Sequence, residues 1–494
     1  MQLGPYLLEP NDTPENGIYC GDVAEVLKRY EGDIFDGCLC DPPYGLNFMG
    51  RNWDGVVPDA SMWAEVLRVL KPGAFLLAFG GTRTWHRLAC AIEDAGFELR
   101  DTLMWVYGSG FPKSHDISKA IDKAAGAERE VIGPDRRRLI GGNGRCSTNH
   151  GRGGVRYGPD AITAPATDAA QLWDGYGTAL KPAWEPIILA QKPRDGTFAN
   201  NALTWGCGGI WVDGTRIGTG ESTERPSGIN ELCYGEDNRR GMIRGGTQGR
   251  WPANLLLQHC DGCECVGERR VKGPGWQQTG SGATALGQSS GWNSHDNRHT
   301  EYNGPADPDG KETIADWRCV PECPVRMLGE QSGERPTGDT NPIPYTNTPG
   351  KNVYGTQTGM KRAMKGDTGT AARFFYQAKA SRSERNEGLD DFYWQRDKSS
   401  PIGFTRITRD EWEQLEPRQR AQGNIHPTVK PLGIIEYIAK LIMPPECRKL
   451  LVPFSGSGSE ILGALKSGWK HVVGIDIISE YNDIARARIR YFLK

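Results

Sequence analysis

Strand-like and helix-like segments alternate at both ends of the 494-residue chain, and this alternation constrains the fold more than any other feature. Before residue 195, the apolar patterns predict strands at 17–20, 34–40, 74–79, 97–106 and 184–192, and helices at 22–30, 61–70 and 84–95. After residue 420, they predict helices at 431–442, 460–466 and 480–492, and strands at 450–453 and 471–476. Such alternation is typical of βα units. We therefore predict an α/β fold with one largely parallel sheet, assembled from both ends of the chain.

The middle of the chain, from about residue 195 to 420, has no sustained alternation and is rich in glycine, tryptophan and paired basic residues. The whole chain contains 65 glycines and 32 prolines, which favours extensive loops. A length of 494 residues predicts two or three domains at roughly 150 residues each. We predict one half of the α/β domain at 1–195, an inserted region at 196–420 and the other half at 421–494.

Composition excludes some classes of function and leaves others open. The formal net charge of −2 means that any surface for nucleic acid must be a local basic patch. The sequence has no apolar run of about 18 residues, so we expect no membrane span, and its first residues lack the pattern of a signal peptide. Thirteen cysteines are too few for a disulfide scaffold in a chain of this size. We expect a reducing cytoplasm, where clustered cysteines are first considered as metal ligands.

A glycine-rich turn near the C-terminus joins a buried strand to a helix. The turn is Pro453-Phe454-Ser455-Gly456-Ser457-Gly458, and glycines at such a place let the backbone approach a ligand closely. Asp476 follows Gly458 by 18 residues at the end of the next strand, where a carboxylate can accept hydrogen bonds from ribose hydroxyls. The pattern favours a nucleotide-type site over a glycine-rich loop with a surface acid.

A second loop, Asp41-Pro42-Pro43-Tyr44, follows a buried strand at its carboxyl end, where ligand sites form in open α/β sheets. Two prolines remove two N–H donors, so the loop presents carbonyls and the Asp41 carboxylate beside an aromatic ring. The exocyclic amine of a base offers N–H donors to these acceptors, and its ring can stack on Tyr44. The alternative is a simple Asp-Pro turn between a strand and a helix, which is common.

Together these loops resemble the amino-group (N6-adenine or N4-cytosine) DNA methyltransferases of the permuted class, in which the catalytic motif precedes the cofactor motif. Residues 41–44 are similar to the catalytic motif of that family, and 453–458 to its cofactor loop. Asn424 to Pro431 resembles the segment before that loop, and Gly474-Ile475-Asp476 the ribose-binding strand end. Further similarity lies at 108–113 and 180–186. The resemblance covers about residues 15–195 and 372–494, and it is to members from phages and from restriction or orphan modification systems.

The resemblance implies a Rossmann-like class I methyltransferase fold, with a twisted, mostly parallel sheet of seven strands and helices on both faces. It implies S-adenosyl-L-methionine as the methyl donor and a flipped base in double-stranded DNA as the acceptor. Asp41, Pro42, Pro43 and Tyr44 would be catalytic. The residues implied in cofactor binding are Asp22, Lys430, Phe454, Ser455, Gly456, Ser457, Gly458 and Asp476.

One position departs from the family pattern. The cofactor loop of the family usually opens with an Asp before Pro-Phe, and Val452 stands there in this chain. In the family that Asp helps to hold the methionine amino group. Our hypothesis is that Glu460 or Ser455 takes the role of this missing Asp.

The inserted region occupies the place of the family's target-recognition region. Tryptophans are interleaved there with arginines, a composition suited to phosphate and base contacts: Trp205, Trp211, Trp251, Trp276, Trp292, Arg239, Arg240, Arg244, Arg250, Arg269 and Arg270. A small core formed by the tryptophans is the alternative. Two cysteine groups about 55 residues apart, Cys260, Cys263 and Cys265 with Cys319 and Cys323, can supply four thiolates to a structural zinc, with His259 as a substitute. Reduced, partly buried thiols are the alternative.

The predicted function is a site-specific DNA methyltransferase acting on adenine N6, with cytosine N4 as the alternative. An RNA or protein methyltransferase and a catalytically inactive DNA-binding module are more distant alternatives. A companion restriction nuclease is expected where the protein belongs to a restriction system. We expect a monomer or a homodimer.

Overall fold

The computed structural model describes residues 17–46, 55–108, 110, 114–134, 161–217, 250–272, 275–279, 301–302, 311–334, 361–365, 370–378, 383–397, 399–400, 402–446 and 448–493. These residues fall into two compact units. The first comprises the described residues up to Gly108 and from Trp184 onwards, and the second those between Ser109 and Ala183.

Strands and helices are numbered in chain order. The strands are β1 Gly17–Cys20, β2 Phe35–Cys40, β3 Leu70–Phe79, β4 Glu98–Val106, β5 Val131–Pro134, β6 Ala161–Thr163, β7 Trp184–Gln191, β8 Leu255–Gln258, β9 Glu264–Lys272, β10 Gly275–Thr279, β11 Glu301–Tyr302, β12 Lys311–Arg318, β13 Lys361–Lys365, β14 Tyr376–Ala378, β15 Tyr393–Arg396, β16 Phe404–Ile407, β17 Arg420–Gln422, β18 Lys449–Pro453 and β19 His471–Asp476. The helices are α1 Val23–Leu27, α2 Ala60–Val69, α3 Trp85–Asp94, α4 Ile117–Ala124, α5 Asp168–Leu172, α6 Phe198–Trp205, α7 Pro324–Ser332, α8 Arg409–Gln414, α9 Leu432–Leu441, α10 Ser459–Ser467 and α11 Ser479–Phe492.

One sheet of nine strands organises the first unit, in the order β1-β19-β18-β2-β3-β7-β4-β8-β14. The C-terminal strands β19 and β18 lie between β1 and β2. Each pairing is parallel except the two that β7 makes with β3 and β4. The prediction of an α/β fold with a mostly parallel sheet is confirmed. The sheet has nine strands where seven were expected, because the short strands β8 and β14 of the inserted region extend it beyond β4.

Helices cover both faces of this sheet, which is why its central strands are continuously apolar. Ile434, Ile461 and Ile489, from α9, α10 and α11, pack on one face. Val26 and Val66, from α1 and α2, pack on the other face together with residues of α3. All six residues of β2 are buried. Burial of each such large apolar side chain contributes roughly 1.5–3 kcal/mol, so the two cores hold the carboxyl ends of the strands in place.

The inserted region forms small antiparallel sheets in addition to β8 and β14. β9 pairs with β12 as a two-stranded ribbon, β10 with β11 and β13, and β15 with β16 and β17. Among the described residues, no helix is long and apolar enough to cross a membrane.

The second unit contains the hairpin of β5 and β6 and the helices α4 and α5. Within this unit, Arg129 forms an ion pair with the buried carboxylate of Asp122, and Arg129 Nη1 lies 2.6 Å from Asp122 Oδ2. Asp122 also accepts hydrogen bonds from the backbone N–H groups of Ala166 and Thr167. The sequence between β5 and β6 contains arginines at 136–138, 145, 152 and 156, and these lie outside the described residues.

Candidate active site

Two loops that are far apart in sequence begin at neighbouring strand ends. β2 and β18 are parallel partners, with Leu450 opposite Gly37 and Leu451 opposite Cys38. Asp41 follows β2, and the glycine-rich loop 454–458 follows β18. Because both strands run in the same direction, the two loops lie at the same edge of the sheet. The sequence predicted a strand before each loop, but not that the two strands are neighbours.

Asp41 lies in a group of four polar side chains, which we call the Asp41–Lys430 cluster: Asp41, Tyr44, Glu185 and Lys430. Lys430 Nζ is 3.0 Å from Asp41 Oδ2 and 3.0 Å from Glu185 Oε2. The Tyr44 hydroxyl donates to Asp41 Oδ1 at 2.8 Å and is 3.2 Å from Glu185 Oε2. Only 6% of the Lys430 side chain and 14% of the Asp41 side chain are exposed. The cluster is therefore a buried ion-pair network at the loop 41–44.

Burial and charge act in opposite directions on this cluster. Burial raises the pKa of Asp41 above its usual value, and the Lys430 ammonium opposes that rise. Burial alone would lower the pKa of Lys430, but the Asp41 and Glu185 carboxylates outweigh it and raise the pKa. Lys430 is therefore charged at neutral pH, and its charge favours the ionised form of Asp41.

Aromatic rings surround the ammonium of Lys430. Its Nζ lies 4.8 Å from the ring centre of Phe79 and 5.3 Å from that of Tyr44. The Tyr44 ring lies against Gly81, where a Cβ atom would be 3.1 Å from Tyr44 Cδ2. Tyr107 adds a hydroxyl 3.2 Å from Glu185 Oε1. The cluster thus combines hydrogen-bond acceptors with ring surfaces, as recognition of a base requires.

The glycine-rich loop is held by Asp476 at the end of β19. The Asp476 carboxylate accepts from Gly456 N–H at 2.8 Å and from Ile478 N–H at 2.9 Å. Gly456 and Gly458 have φ of 46° and 81°, the left-handed region that glycine adopts without strain. Ser455 Oγ is fully buried and has no hydrogen-bond partner among the described atoms. Ser455 N–H donates to the Ile475 carbonyl and Gly458 N–H to the Ser455 carbonyl, so these contacts fix the conformation of the loop.

His426 packs directly on this loop. A Cβ atom at Gly456 would lie 2.8 Å from His426 Nε2, so a glycine is required there for packing as well as for backbone conformation. Burial lowers the pKa of His426 to about 4, so the imidazole is neutral near pH 7. Below the loop, Arg488 Nη1 donates to the Ser457 carbonyl at 2.7 Å.

Glu460 lies in the first turn of α10, immediately after the loop, and only 4% of it is exposed. Burial raises its pKa to about 8, and the negative charge of Asp41 adds to the rise. Val452, where the family has an acid, is completely buried among apolar residues of the core. Of the two candidates for the missing acid, Glu460 brings a carboxyl group to this edge of the sheet, and Ser455 brings a hydroxyl.

The structure brings most of the predicted site residues to one edge of the sheet. Asp22 follows β1, the parallel neighbour of β19, and its Oδ1 accepts from Glu25 N–H as the cap of α1. Lys430, expected to bind the cofactor, has its ammonium at Asp41. Glu185 was not singled out in the sequence, although it lies in the segment 180–186. An acid at the start of a buried strand is the signal that would have found it.

The predicted zinc ligands divide into two groups. His259, Cys263, Cys319 and Cys323 lie together, with their ligand atoms within 4.8 Å of one another. Cys265 is exposed, with its Sγ 3.5 Å from the Gly267 carbonyl. Cys260 lies against the end of β4, where its Sγ would be 2.6 Å from a Cβ atom at Gly108.

The predicted aromatic and basic residues of the insertion are only partly described. Trp211 and Trp251 are 40% and 52% exposed, and each lies near a cation, Lys440 and Arg216 respectively. The Trp205 indole donates to Asp195. The strand β10 contains Trp276, while Trp292, Arg239, Arg240 and Arg244 lie outside the described residues. So do residues 109 and 111–113 of the 108–113 motif.

Similarity to known proteins can now be set beside this geometry. No protein-family model matches the chain. The chain is similar to the putative methylase YubD of Escherichia coli (strain K12), at 32% identity over 85 residues, which are 16% of this chain. The chain thus spans 37% of the length of that curated relative.

Solved structures with a similar chain include the complex of M1.HpyAVI with SAM, at 12% identity, covering 95% of this chain and 98% of that chain, with a TM-score of 0.29. The PvuII cytosine-N4-specific DNA methyltransferase is 10% identical, over 95% of this chain and 85% of that one, with a TM-score of 0.35. The putative DNA modification methylase TTHA0409 of Thermus thermophilus, complexed with S-adenosyl-L-methionine, is 11% identical over 96% and 95%, with a TM-score of 0.28. These TM-scores are low, so the fold class rests on the strand order. Several of these proteins are named as methylases or methyltransferases, the class that the motifs resemble.

Proposed function

We propose that this chain is an S-adenosylmethionine-dependent DNA methyltransferase that methylates the exocyclic amino group of a base. The observation that carries the proposal is the meeting of residues 41–44 and 454–458 at the ends of the parallel strands β2 and β18. One loop presents acceptors for an amine, and the other presents a glycine-rich backbone to a ligand. Transfer between two bound molecules requires such adjacent sites.

The residues around the glycine-rich loop fit the methyl donor. S-adenosylmethionine supplies an electrophilic methyl group when it is bound. Asp476 and Asp22, at the ends of neighbouring strands, suit its ribose hydroxyls and its adenine amino group. The unpartnered buried hydroxyl of Ser455 is a donor for a ligand atom, and burying it without a partner would otherwise cost about 1–3 kcal/mol.

Glu460 is our candidate for the partner of the methionine ammonium group. It is the buried carboxyl group nearest in sequence to the loop, and Val452 offers no polar atom. A bound ammonium would stabilise the carboxylate that burial destabilises. Calorimetric titration of Glu460→Ala and Ser455→Ala separates the candidates. A loss of cofactor affinity in Glu460→Ala that exceeds the loss in Ser455→Ala supports Glu460, and unchanged affinity in Glu460→Ala dismisses it.

The Asp41–Lys430 cluster can prepare the amine for transfer. Asp41 and the Pro42 carbonyl accept hydrogen bonds from the amine, which draws its lone pair out of conjugation with the ring. Tyr44 stacks on the base, which must leave the duplex at a cost of a few kcal/mol. The proton released from the amine has an acceptor in Asp41. This chemistry needs no covalent adduct with the base and no nucleophilic cysteine.

The Tyr44 hydroxyl is placed to exchange partners when a base enters. It is within hydrogen-bond distance of Asp41 Oδ1 and of Glu185 Oε2. A shift towards Glu185 alone would leave Asp41 Oδ1 for the amine, while Lys430 holds Oδ2. In this proposal Glu185 is a positioning residue, because it acts through Tyr44 and Lys430 and does not contact the base.

Adenine N6 is the proposed target, with cytosine N4 as the second candidate. The acid at position 41 favours adenine, since N4-cytosine members of the family more often have Ser there. DNA contacts are proposed for the exposed Trp211 and Trp251 with their cations Lys440 and Arg216. Aromatic and cationic side chains of this kind suit base and phosphate contacts.

Expression in a host without DNA methylation tests the proposal as a whole. Sequencing that detects modified bases would report the base, the atom and the recognition sequence together. N6-methyladenine at a defined sequence supports the full proposal, and N4-methylcytosine supports the second candidate. Unmodified DNA together with tight cofactor binding would point to RNA or protein as the acceptor. Unmodified DNA without cofactor binding would favour the inactive DNA-binding module.

A further inference from the structure

We propose that His259, Cys263, Cys319 and Cys323 bind one zinc ion, which links the ribbon of β9 and β12 to the sheet of nine strands. These four residues are called the Cys3His cluster below. Their ligand atoms lie within 4.8 Å of one another. His259 Nδ1 is 3.3 Å from Cys319 Sγ and 3.5 Å from Cys323 Sγ.

These distances suit a single tetrahedral ion. Zn–S bonds of about 2.3 Å and Zn–N bonds of about 2.0–2.1 Å place neighbouring ligand atoms roughly 3.5–3.8 Å apart. The nitrogen–sulphur distances in the structure are already close to this value. A larger iron–sulphur cluster would hold its cysteines further apart, so one ion of zinc type is the fit. Three thiolates and one imidazole are a common set for structural zinc.

The imidazole of His259 is oriented as a metal ligand. Its Nε2 faces Gln377 Oε1 at 3.3 Å, while Gln377 Nε2 donates to the Ala372 carbonyl at 2.7 Å. The Gln377 amide thus presents its oxygen, and His259 donates from Nε2. Nδ1 is then the unprotonated nitrogen, and it faces two sulphur atoms. Metal-bound histidines are usually fixed by such a hydrogen bond from the second nitrogen.

The surroundings of the sulphur atoms support the same conclusion. His259 and Cys323 are completely buried, and Cys263 is 7% exposed. Cys319 is half-buried, and its Sγ faces His259 Nδ1. The His259 ring also stacks on Trp317 at 3.9 Å between centres. Four protein ligands would leave no open coordination position, which is typical of a structural metal.

The position of the cluster explains what the ion would hold together. His259 directly follows β8, a strand of the main sheet, and Gln258 accepts from the indole of Trp105 on β4. Cys263 directly precedes β9, and Cys319 directly follows β12. Arg318 pairs with Glu264 at the base of the ribbon. One ion would therefore join both strands of the ribbon to the sheet that carries Asp41.

The metal content of the purified full-length chain tests the proposal, after removal of any affinity tag. We expect about one zinc per chain by elemental mass spectrometry. Cys263→Ser, Cys319→Ser and Cys323→Ser should each lose most of it. Cys260→Ser and Cys265→Ser are matched controls from the same segment, and they should keep it. Zinc retained in the three ligand variants, or lost equally in the controls, would overturn the ligand set.

Two further variants keep the test decisive if a ligand variant fails to fold. His259→Cys replaces the imidazole with a fourth thiolate and should retain zinc, while His259→Ala should lose it. Substitution with Co²⁺ should give the visible absorption of a tetrahedral site with thiolate-to-cobalt charge transfer. Wild-type protein that holds no zinc and gives no such spectrum contradicts the proposal. None of these measurements depends on methyl transfer, so the zinc site and the proposed enzyme can fail separately.

Discussion

The Asp41–Lys430 cluster and the Cys3His cluster are two groups of buried polar side chains with different supports. The first lies at the end of a sheet whose strands are apolar on both faces, so hydrophobic packing fixes its members. The second lies where the inserted region leaves the sheet, with a small core around it. A large core can hold charged groups in place, whereas a loop-rich segment needs a metal to do so. We therefore expect metal removal to affect the Cys3His cluster and to spare the Asp41–Lys430 cluster. Loss of a charge at Asp41 or Lys430 should have the reverse effect.

Removal of the Asp41 carboxylate should have the largest effect. We expect Asp41→Asn and Asp41→Ala to lower the rate of methyl transfer on the order of 10³-fold, because both lose the negative charge and the acceptor for the amine proton. Cofactor affinity should change by only a few fold, since residues 454–458 are untouched. Single-turnover kinetics and calorimetric titration measure the two quantities. Turnover close to that of the wild type would refute the role of Asp41.

Loss of the Lys430 charge should come next. Lys430→Met leaves two buried carboxylates without their cation, so we expect a loss in rate of roughly 10²-fold. Lys430 opposes the rise that burial causes in the pKa of Asp41. Its removal should raise that pKa further and shift the acid limb of the pH–rate profile to higher pH. Lys28→Met, which removes an exposed cation paired with Glu25 away from the site, is the control, and an unshifted profile in Lys430→Met would count against the cluster.

Tyr44 separates stacking from hydrogen bonding. Tyr44→Ala should reduce kcat/KM roughly 10- to 100-fold, because base stacking on an aromatic ring contributes about 1–3 kcal/mol. Tyr44→Phe keeps the ring and frees Asp41 Oδ1, so we expect a change of no more than a few fold. If Phe proved as damaging as Ala, the hydroxyl and not the ring would be the functional part.

Metal removal should affect the inserted region and spare the sheet. After a strong chelator has removed zinc, we expect DNA affinity to fall about tenfold as the ribbon loses its anchor. Cofactor affinity should stay within about twofold, because the core holds that site without a metal. Fluorescence anisotropy with labelled DNA and calorimetry with the cofactor distinguish the two. Equal loss of both affinities would contradict the separation between the sites.

Glu460 should produce the smallest effect, and the effect should depend on pH. Because burial raises its pKa to about 8, cofactor affinity in the wild type should rise as pH increases towards 9 and the carboxylate forms. Glu460→Gln should flatten this rise and weaken binding about tenfold at pH 9.

The stability of the protein should also depend on the ionisation of Glu460. The folded-state pKa of Glu460 lies above the usual value, so the stability it contributes is present at low pH and is lost as pH rises through about 8. The Gln variant should therefore gain in Tm relative to the wild type above pH 8. If cofactor affinity and Tm depended on pH in the same way in both proteins, Glu460 would be excluded as the partner of the methionine ammonium group.

The sequence was sufficient for elements with strong local signals. The strand before Asp41, the turn at Gly456 and Gly458, and the acid at Asp476 each carry a pattern within a few residues, and the structure places them at one edge of the sheet. The strands β8 and β14 escaped prediction because they are only four and three residues long. β8 joins the sheet by pairing with β4, and β14 joins it by pairing with β8, and local patterns do not encode such pairings.

Contacts between distant segments could not be predicted. Lys430 and Asp41 are separated by most of the chain, and their ion pair follows from the order of strands and the path of residues 424–431. Among the cysteines, spacing alone left five candidates, and the side chains had to be placed before His259 replaced Cys260 and Cys265. Periodicity reveals the elements, while the side-chain geometry of a site also depends on tertiary packing.

The central claim is that Asp41 and the glycine-rich loop together transfer a methyl group to an exocyclic amine in DNA. Purified protein should be incubated with methylation-free DNA and isotopically labelled S-adenosylmethionine, and the digested nucleosides should be identified by mass spectrometry. The account predicts labelled N6-methyladenine, or N4-methylcytosine for the second candidate, in the wild type and neither in Asp41→Ala. Labelled 5-methylcytosine, or equal labelling in both proteins, would contradict it.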